Sequence, residues 1–536
     1  MNNKFRTIGL YSVLALVTVV LLFGLTRIEN RLEAQVSEHH LRFTGQIDNA
    51  PPLVSFTTVA LGSFRGLIAD LLWLRAGSLQ EKGSYYEMAQ LARWITDLQP
   101  TFSGATAYLA WNMAYNISVT CSDFADRWRW VNEGIRLIRD RALAYNPEDP
   151  VLYKDLAWIF QHKMGNYLDD ANQYYKIQLA MAMTEILGST SDFTDWAAAP
   201  ATAKEFAASF GGNEKLWQAA IASGYPDQAA LYAAFVENKA KLPEGFTAAL
   251  RDPELAKKID TAFRVRLLKE RHKLDVKFMH EINQQYGTLD WRLPEAQAIY
   301  WARMGLKKTP GGKDINCERI ASQSLYEAFR SGRLMLADEK DFSTAQMAPN
   351  LDLADAVKRT FEEAYENNDK QSTFLSVKSN FMKEAIVMMF RYGKFKKAEE
   401  YFKELSKIDG DPAKYKTMEN FVMSRFTEEV RDASVKKAGE LVAGLIWRSL
   451  YFLAYNEQDA AVANERLARF VYKSYMSSTG KGQEVRMGLP PYKDIKKGVV
   501  DSCLKFFPPA LSKSLQLKID EEKAAEPAEP AEPAKK

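Results

Sequence analysis

Cysteine and histidine are scarce in this chain of 536 residues, which has three cysteines and five histidines. Cys121, Cys317 and Cys503 lie far apart, and none of them belongs to a Cys-x-x-Cys pair. This spacing supports neither a disulfide framework nor a zinc site, and it favours small buried hydrophobic side chains. We therefore predict no metal ion and no cofactor.

The chain also lacks an excess of either charge. It has 71 Lys and Arg against 68 Asp and Glu, a net charge of +3. Because phosphate binding needs clustered basic residues, a nucleic acid is not the expected partner. Apolar residues make up 47% of the chain and charged residues 26%, a composition typical of a folded body with a substantial core.

Motifs that would indicate catalysis are absent as well. The segments GGKD at 311–314 and GKG at 480–482 both lack the Gly-x4-Gly-Lys-Ser/Thr spacing with which a loop cradles phosphate groups. The sequence contains neither a Gly-x-Ser-x-Gly elbow nor a His-Glu-x-x-His metal helix. His272 and His280 are two turns apart on one predicted helix, roughly 12 Å, which is too far for one metal ion. We therefore predict that the protein is not an enzyme and has no catalytic residue.

The longest apolar segment lies near the N-terminus. Ile8–Leu25 reads IGLYSVLALVTVVLLFGL without a charge, which is long enough to cross a bilayer as a helix. The rival interpretation is a cleaved secretion signal, but the residues after Phe23 offer no small-x-small cleavage site. We predict a short tail at 1–7, one transmembrane anchor at 8–25, and an amphipathic stalk and linker at 26–53.

The flanks of the anchor bear on its orientation. Lys4 and Arg6 precede the apolar segment, and Arg27 and Arg31 follow it, so the positive charges are balanced. A signal anchor with so short an N-terminal tail commonly translocates the long C-terminal body. We therefore expect the body on the periplasmic or another exoplasmic side of the membrane.

Helical periodicity dominates from Val54 onward, and runs typical of strands are few, so the predicted fold class is all-α. The first segment, Val54–Trp73, is strongly apolar, but Arg65 and Asp70 near its centre would be costly inside a membrane. We favour a buried first helix, and a helix lying in the plane of the membrane is the alternative.

Two segments show the pattern of a helical repeat. Residues 392–405 read YGKFKKAEEYFKEL, with glycine at a turn, an aromatic residue two positions later and apolar residues on one face of the second helix. Residues 142–147 read ALAYNP, with a small residue five positions before a helix-ending proline. These segments resemble tetratricopeptide repeats (TPR), and the chain resembles membrane-anchored bacterial TPR proteins. The resemblance implies a TPR-like α-solenoid, packed through Ala142, Pro147, Ala157, Gly393, Ala398 and Phe402.

The repeat pattern also divides the body into segments. We predict N-terminal repeats at 54–188, a divergent Ala-rich helical insertion at 189–290, C-terminal repeats at 291–478 and a capping segment at 479–520. The tail at 521–536 repeats Ala-Glu-Pro three times. Because it cannot bury enough apolar surface to fold, the tail is predicted to be disordered.

Aromatic residues are concentrated in the first repeats, which hold six of the eleven tryptophans. Core packing explains many of them, but two stretches also combine rings with amides and guanidinium groups. Such mixtures are typical of protein-binding hot spots and also suit stacking on sugar rings. The predicted partner-binding residues are Trp111, Asn112, Tyr115, Arg127, Trp128, Arg129 and Trp130.

The TPR resemblance implies binding of peptides or helices on the concave face of a solenoid. We therefore expect a membrane-anchored scaffold that mediates protein–protein interaction in an envelope complex, with other membrane or transporter components among its protein partners. The alternative is a glycan- or lipid-binding envelope protein that uses the aromatic-rich surface. A scaffold predicts that Trp128 and Trp130 lie on an open groove, whereas a glycan-binding protein predicts a bounded cleft where Asp, Asn and Trp meet.

Overall fold

The computed structural model describes residues 64–99, 102–166, 168–338, 341–367, 372–409, 416–427, 435–478 and 489–525, with seven scattered positions between 16 and 35. The chain divides into two units, Met1–Asp70 and Leu71–Lys536, and the contacts given below lie within the second. Nearly all of the predicted anchor at 8–25 and stalk at 26–53 lies outside the described residues. In the part of the chain that is described, no helix is both long and apolar enough to span a bilayer.

Helices account for almost every element of the described ranges, which confirms the all-α prediction. The first six are α1 (Phe64–Glu81), α2 (Tyr85–Leu98), α3 (Ser103–Trp111), α4 (Phe124–Arg136), α5 (Pro150–Trp158) and α6 (Asn172–Leu187). Three of these helices widen at their C-terminal ends into π turns: α3 at Asn112–Ile117, α4 at Leu137–Ala142, and α5 at Ile159–Gly165. After its π turn, α4 resumes at Leu143–Tyr145.

The helices of the predicted insertion are mostly short, and most of those that follow it are longer. The insertion contains α7 (Thr194–Ala197), α8 (Ala203–Phe210), α9 (Glu214–Ala222), α10 (Gln228–Glu237), α11 (Glu244–Leu250), α12 (Pro253–Leu267) and α13 (Val276–Tyr286). The later helices are α14 (Pro294–Lys308), α15 (Ile315–Ser331), α16 (Ala354–Asn367), α17 (Ser372–Arg391), α18 (Phe395–Ile408), α19 (Met418–Thr427), α20 (Val435–Ala454), α21 (Gln458–Ser478), α22 (Tyr492–Phe506) and α23 (Pro509–Ala525). The last of them extends into the predicted tail at 521–536, whose residues after 525 lie outside the described part.

One small β-hairpin interrupts the helices. Its strands β1 (Arg333–Met335) and β2 (Gln346–Ala348) pair antiparallel, with Leu334 opposite Met347.

A left-handed residue forms the same turn after five of the described helices, at Gly83, Gly224, Lys239, Gly393 and Asn456. Gly83, Gly393 and Asn456 have φ angles of 71°, 74° and 61°. At Gly393 the next N–H, that of Lys394, donates to the carbonyl of Met389 at 2.8 Å, and the other four turns form the equivalent bond. The turn reverses the chain so that α17 packs on α18 and α20 packs on α21. This recurring helical hairpin is compatible with an α-solenoid.

Helix α14 packs both on the following helix, α15, and on α5, which lies far earlier in the chain. A Cβ atom on Gly305 would lie 2.9 Å from Cys317 Sγ and 3.3 Å from Tyr153 Cβ, so the glycine permits a close approach of the three helices. Beside it the rings of Trp301 and Tyr153 stack with their centroids 6.2 Å apart. The chain therefore moves away from α5 through the helices that follow it, and α14 brings it back into contact with α5.

His272 makes the fold sensitive to acid. It ends a π turn, Leu268–His272, and its Nε2 is buried without a hydrogen-bond partner among the described residues. Burial first, and then the charges of Arg139, Arg271 and Arg136, lower the pKa of the imidazole from 6.5 to about 3. Below about pH 6.5 the unfolded chain binds this proton and the folded chain does not, so stability falls as the pH drops toward 3.

The substitution His272→Gln removes the titrating group. We expect its free energy of unfolding to fall less steeply than that of the wild type below pH 6.5, by up to about 1.4 kcal/mol per pH unit. Urea denaturation of the full chain at stepped pH measures this, with His280→Gln as the control on α13. Parallel pH profiles for His272→Gln and the wild type would show that His272 does not titrate as described.

Candidate functional site

A cleft opens between α3, α5 and α15, and its lining combines aromatic rings with polar side chains. Two adjoining cavities, of about 530 and 250 Å³, share the residues Trp111, Asp155 and Trp158. The larger cavity, which we call the polar half, adds Lys154, Asn316, Arg319, Ile320 and Gln323. The smaller cavity, the aromatic half, adds Tyr108 and an apolar base of Gly104, Ala107, Ile138 and Ile159. Together the two halves form the aromatic cleft, whose volume is that of a small-ligand or peptide site.

Helical spacing places these side chains on the faces that meet at the cleft. Tyr108 and Trp111 are separated by one turn of α3, and Asp155 and Trp158 by one turn of α5. Helix α15 presents its polar residues at the same i, i+3, i+7 spacing: Asn316, Arg319 and Gln323. Each of the three helices therefore contributes one continuous face.

Hydrogen bonds cap the N-termini of α5 and α15 and also link the two helices. The side chain of Asp149 accepts from the Val151 N–H at 2.9 Å and caps α5, whose first residue is Pro150. In the same way Asp314 caps α15. Between the two helices, Gln161 Nε2 donates to the carbonyl of Ile320 at 3.2 Å. The relative position of α5 and α15, and so the width of the cleft, depends on these bonds.

Aromatic rings form a continuous ladder along the cleft. The ring of Tyr108 lies 6.2 Å from that of Trp111, which stacks with Tyr115 at 5.6 Å. Tyr115 lies 5.7 Å from His162, and His162 stacks with Trp158 at 4.6 Å. Even so, 48% of Tyr108, 41% of Trp111 and 38% of Trp158 are exposed to solvent. Because these rings hold one another in place, a ligand can cover them at little cost in side-chain entropy.

The charged groups of the cleft are few. Lys154 Nζ lies 3.1 Å from Asp155 Oδ1. Burial raises the pKa of the Asp155 carboxyl, and Lys154 opposes this effect. Burial and the charge of Lys163 lower the pKa of His162, so its ring is a neutral member of the ladder at pH 7.

Buried ion pairs lie behind the ladder. Lys163 Nζ is 2.5 Å from Asp169 Oδ2, with 4% and 9% of the two side chains exposed. Arg127 also approaches Asp169, at 3.7 Å. The Tyr115 hydroxyl is buried and has no hydrogen-bond partner among the described residues, and burial, then the charge of Asp169, raises its pKa. A charged layer of this kind resists separation of the helices, because any exposed gap would leave a buried charge unpaired.

The seven residues predicted to bind a partner do not form one surface. Trp111 and Tyr115 belong to the ladder, whereas Asn112 is buried and exchanges side-chain hydrogen bonds with Gln80. Arg127 binds the carbonyl of Cys121 at 2.8 Å as well as the acidic residues that follow α5. The other three lie elsewhere on α4.

Those three residues of α4 differ in exposure. Trp128 is half-buried and stacks with Tyr175 at 6.1 Å, and Trp130 is only 4% exposed and packs against Tyr86 at 5.3 Å. Arg129 is exposed and pairs with Asp126 at 2.8 Å. Neither tryptophan lines the aromatic cleft.

The residues predicted for repeat packing occupy helix contacts and turns. The four buried ones are Ala142, Ala157, Ala398 and Phe402. Pro147 is exposed in the loop before α5, where its carbonyl accepts a hydrogen bond from the Tyr153 hydroxyl at 2.7 Å. Gly393 occupies the left-handed turn between α17 and α18.

Several residues of the cleft were not predicted from the sequence. Asp155, Arg319 and Gln323 belong to helices whose polar faces resemble any solvated surface. The sequence of α15 does indicate a polar face, because polar residues repeat at i, i+3 and i+7. The neighbouring sequence does not show that this face packs near α5. The link spans the chain from Gln161 to Ile320, a separation of 159 residues.

Among the residues that the structure describes, no three His, Cys, Asp or Glu side chains cluster closely enough to hold a metal ion. Comparison with known proteins finds no family model, no curated protein and no solved structure that matches this chain.

Proposed function

We propose that the protein is a membrane-anchored, TPR-like scaffold that binds a protein partner through the aromatic cleft. In this proposal Ile8–Leu25 is a single-pass anchor, and the helical body faces the periplasm or another exoplasmic space. The partners are envelope proteins, with membrane or transporter components as candidates, and the protein binds them without catalysing a reaction. The observation that supports the proposal is the set of three solvent-exposed rings, Tyr108, Trp111 and Trp158, in a cleft between three helices.

The composition of the cleft favours a polypeptide ligand. Tryptophan, tyrosine and arginine contribute most of the energy at protein interfaces, and the cleft contains Tyr108, Trp111, Trp158 and Arg319. The amides of Asn316 and Gln323 are both donors and acceptors, which suits the N–H and C=O groups of an extended backbone. Apolar anchors beside adaptable polar groups are the usual arrangement of a peptide groove.

The double substitution Trp111→Ala/Trp158→Ala tests the proposal. We expect recovery of the partner after crosslinking in native membranes to fall by about thirtyfold, since truncating one interface hot spot costs about 2 kcal/mol or more. The matched control is Trp94→Ala, because Trp94 is 48% exposed on α2 and does not line the cleft. If the double variant and the Trp94→Ala control recover the partner equally well, the partner binds outside the aromatic cleft and the proposal fails.

A glycan is the second candidate, and one observation favours it. Asp155 and Asn316 line the same cavity as Trp111 and Trp158, as expected of a site that stacks sugar rings and binds their hydroxyls. A glycan array probed with the full chain and with the double variant separates the candidates. Binding of neutral oligosaccharides that requires both tryptophans, with no crosslinked protein, would favour the glycan.

A further inference from the structure

The two halves of the aromatic cleft differ in charge. The polar half contains two basic residues, Lys154 and Arg319. In the aromatic half, Asp155 is the one charged side chain among the described lining residues, and three rings surround the same space. The aromatic half is therefore a small apolar cavity with a carboxylate at its edge.

Such a cavity attracts cations. The face of an aromatic ring carries partial negative charge, and an ammonium group within about 6 Å of a ring centroid is attracted to it. The attraction is largest where the cation has lost its water, as it would against the buried residues Ala107, Ile138 and Ile159 of this cavity. The cavity of 250 Å³ exceeds the volume of one water molecule, about 30 Å³, severalfold, so an alkylated ammonium fits inside.

The ring ladder already holds one ammonium group on its inner side. Lys163 Nζ lies over the ring of Tyr115, 5.4 Å from its centroid, and pairs with Asp169. Tyr115 stacks in turn on Trp111, which lines both halves of the cleft. Behind the ladder, an aromatic ring and a carboxylate together bind the ammonium of Lys163. Trp111, Trp158 and Asp155 offer the same combination of groups on the side that is open to solvent.

We propose that the aromatic half of the cleft binds an alkylammonium group, presented as a lysine side chain by the protein partner, between Tyr108, Trp111 and Trp158 and beside Asp155. This inference rests on the proposed function, because it names the chemical group of the partner that the cleft receives. Lys154 and Arg319 line the polar half and repel a cation there, so the ammonium is restricted to the aromatic half.

The partnership of Asp155 with Lys154 does not prevent this binding. The two residues are neighbours in sequence, and 31% of each side chain is exposed, so their ion pair is worth little. Binding exchanges a weak contact for one that is shielded from water.

The test uses probes that differ only in charge. Choline is compared with 3,3-dimethylbutan-1-ol, its neutral isostere, and Nα-acetyl-lysine-N-methylamide supplies the lysine side chain. Binding is followed by fluorine NMR of the full chain labelled with fluorotryptophan, in which Trp111→Phe and Trp158→Phe assign the two resonances. We expect both cations to shift these resonances and the neutral isostere to bind on the order of tenfold more weakly.

Asp155→Asn removes the charge and keeps the shape. We expect on the order of tenfold weaker binding of both cations and unchanged binding of the neutral isostere. Unchanged resonances of the other tryptophans show that the variant is folded. Equal binding of choline and its isostere, or no effect of Asp155→Asn, would overturn the proposal. Binding of choline without the lysine analogue would overturn the assignment to a lysine of a protein partner.

Failure of this inference is distinguishable from failure of the proposed function. If no cation binds but crosslinking still requires Trp111 and Trp158, the cation site is overturned and the scaffold proposal stands. If crosslinking is also unaffected by the double substitution, both are overturned.

Discussion

Lys176→Met is expected to lower the free energy of unfolding by about 3–5 kcal/mol, because it leaves a buried carboxylate without its partner. Lys176 Nζ lies 2.8 Å from Glu295 Oε1, and only 6% and 3% of the two side chains are exposed. The other carboxylate oxygen, Glu295 Oε2, has no hydrogen bond among the described residues. Once the ammonium is removed, no described side chain donates a hydrogen bond to the Glu295 carboxylate, and its place in the first turn of α14 offsets only part of the lost hydration.

The matched control is an exposed pair of the same length. Lys215 Nζ lies 2.8 Å from Asp252, with 55% and 32% of the side chains exposed. We expect Lys215→Met to cost less than about 1 kcal/mol, because water already screens this pair. Urea denaturation of the two full-length variants, followed by circular dichroism, compares the losses.

A third variant separates the charge from the packing. Lys176→Met/Glu295→Met replaces both charges with apolar groups, and it should regain most of the loss, since buried pairs exchanged for apolar residues are often neutral in stability. If Lys176→Met costs no more than Lys215→Met, the pair is not buried in solution. If the double variant is as unstable as the single one, packing and not charge is responsible.

Gly393→Ala is the second substitution with a large expected effect, a loss of about 3 kcal/mol or more. The φ angle of 74° is itself unfavourable for alanine, by about 1–2 kcal/mol. In addition, a Cβ atom there would lie 2.8 Å from both the Cβ and the carbonyl oxygen of Asp459. Since Asp459 lies on α21, the added methyl group would push the next helical hairpin away.

Gly83 provides the control for the backbone contribution. Its φ angle of 71° is nearly the same, and apart from its chain neighbours no described residue has an atom within 4 Å of the position of its Cβ. Gly83→Ala should therefore cost only about 1–2 kcal/mol. Thermal unfolding, together with hydrogen exchange of the amides in α21, measures both variants. Equal losses of stability in the two variants would mean that Asp459 moves away from the added methyl group at no cost in free energy. The loss would then come from the backbone conformation of the turn alone.

The two glycines show what can be predicted from a sequence. The turn at Gly393 follows from a local pattern, a glycine between two amphipathic helices, and the structure has that turn. The contact with Asp459 depends on which hairpin packs next, and no local pattern contains that choice. The all-α class and the buried alanines Ala142, Ala157 and Ala398 were predictable because a 3.6-residue period and small residues leave local signals.

The candidate site was less predictable. Trp111 was identified from its mixed neighbourhood, but Trp130 and Asn112 share that neighbourhood and are buried. Part of the reason is local, because the π turn Asn112–Ile117 changes which residues share a face. Asp155 and Arg319 could not be found at all, because their common cavity forms only when helices distant in sequence meet.

The return of the chain at α14 has a consequence for synthesis on the ribosome. Glu295 follows its partner Lys176 by 119 residues. At about 5–20 residues per second, the ribosome needs roughly 6–24 s to supply the missing carboxylate. During that interval the apolar face of α6 and the Lys176 ammonium beside it stay exposed. Chaperones that act on the nascent chain are therefore expected to bind this segment.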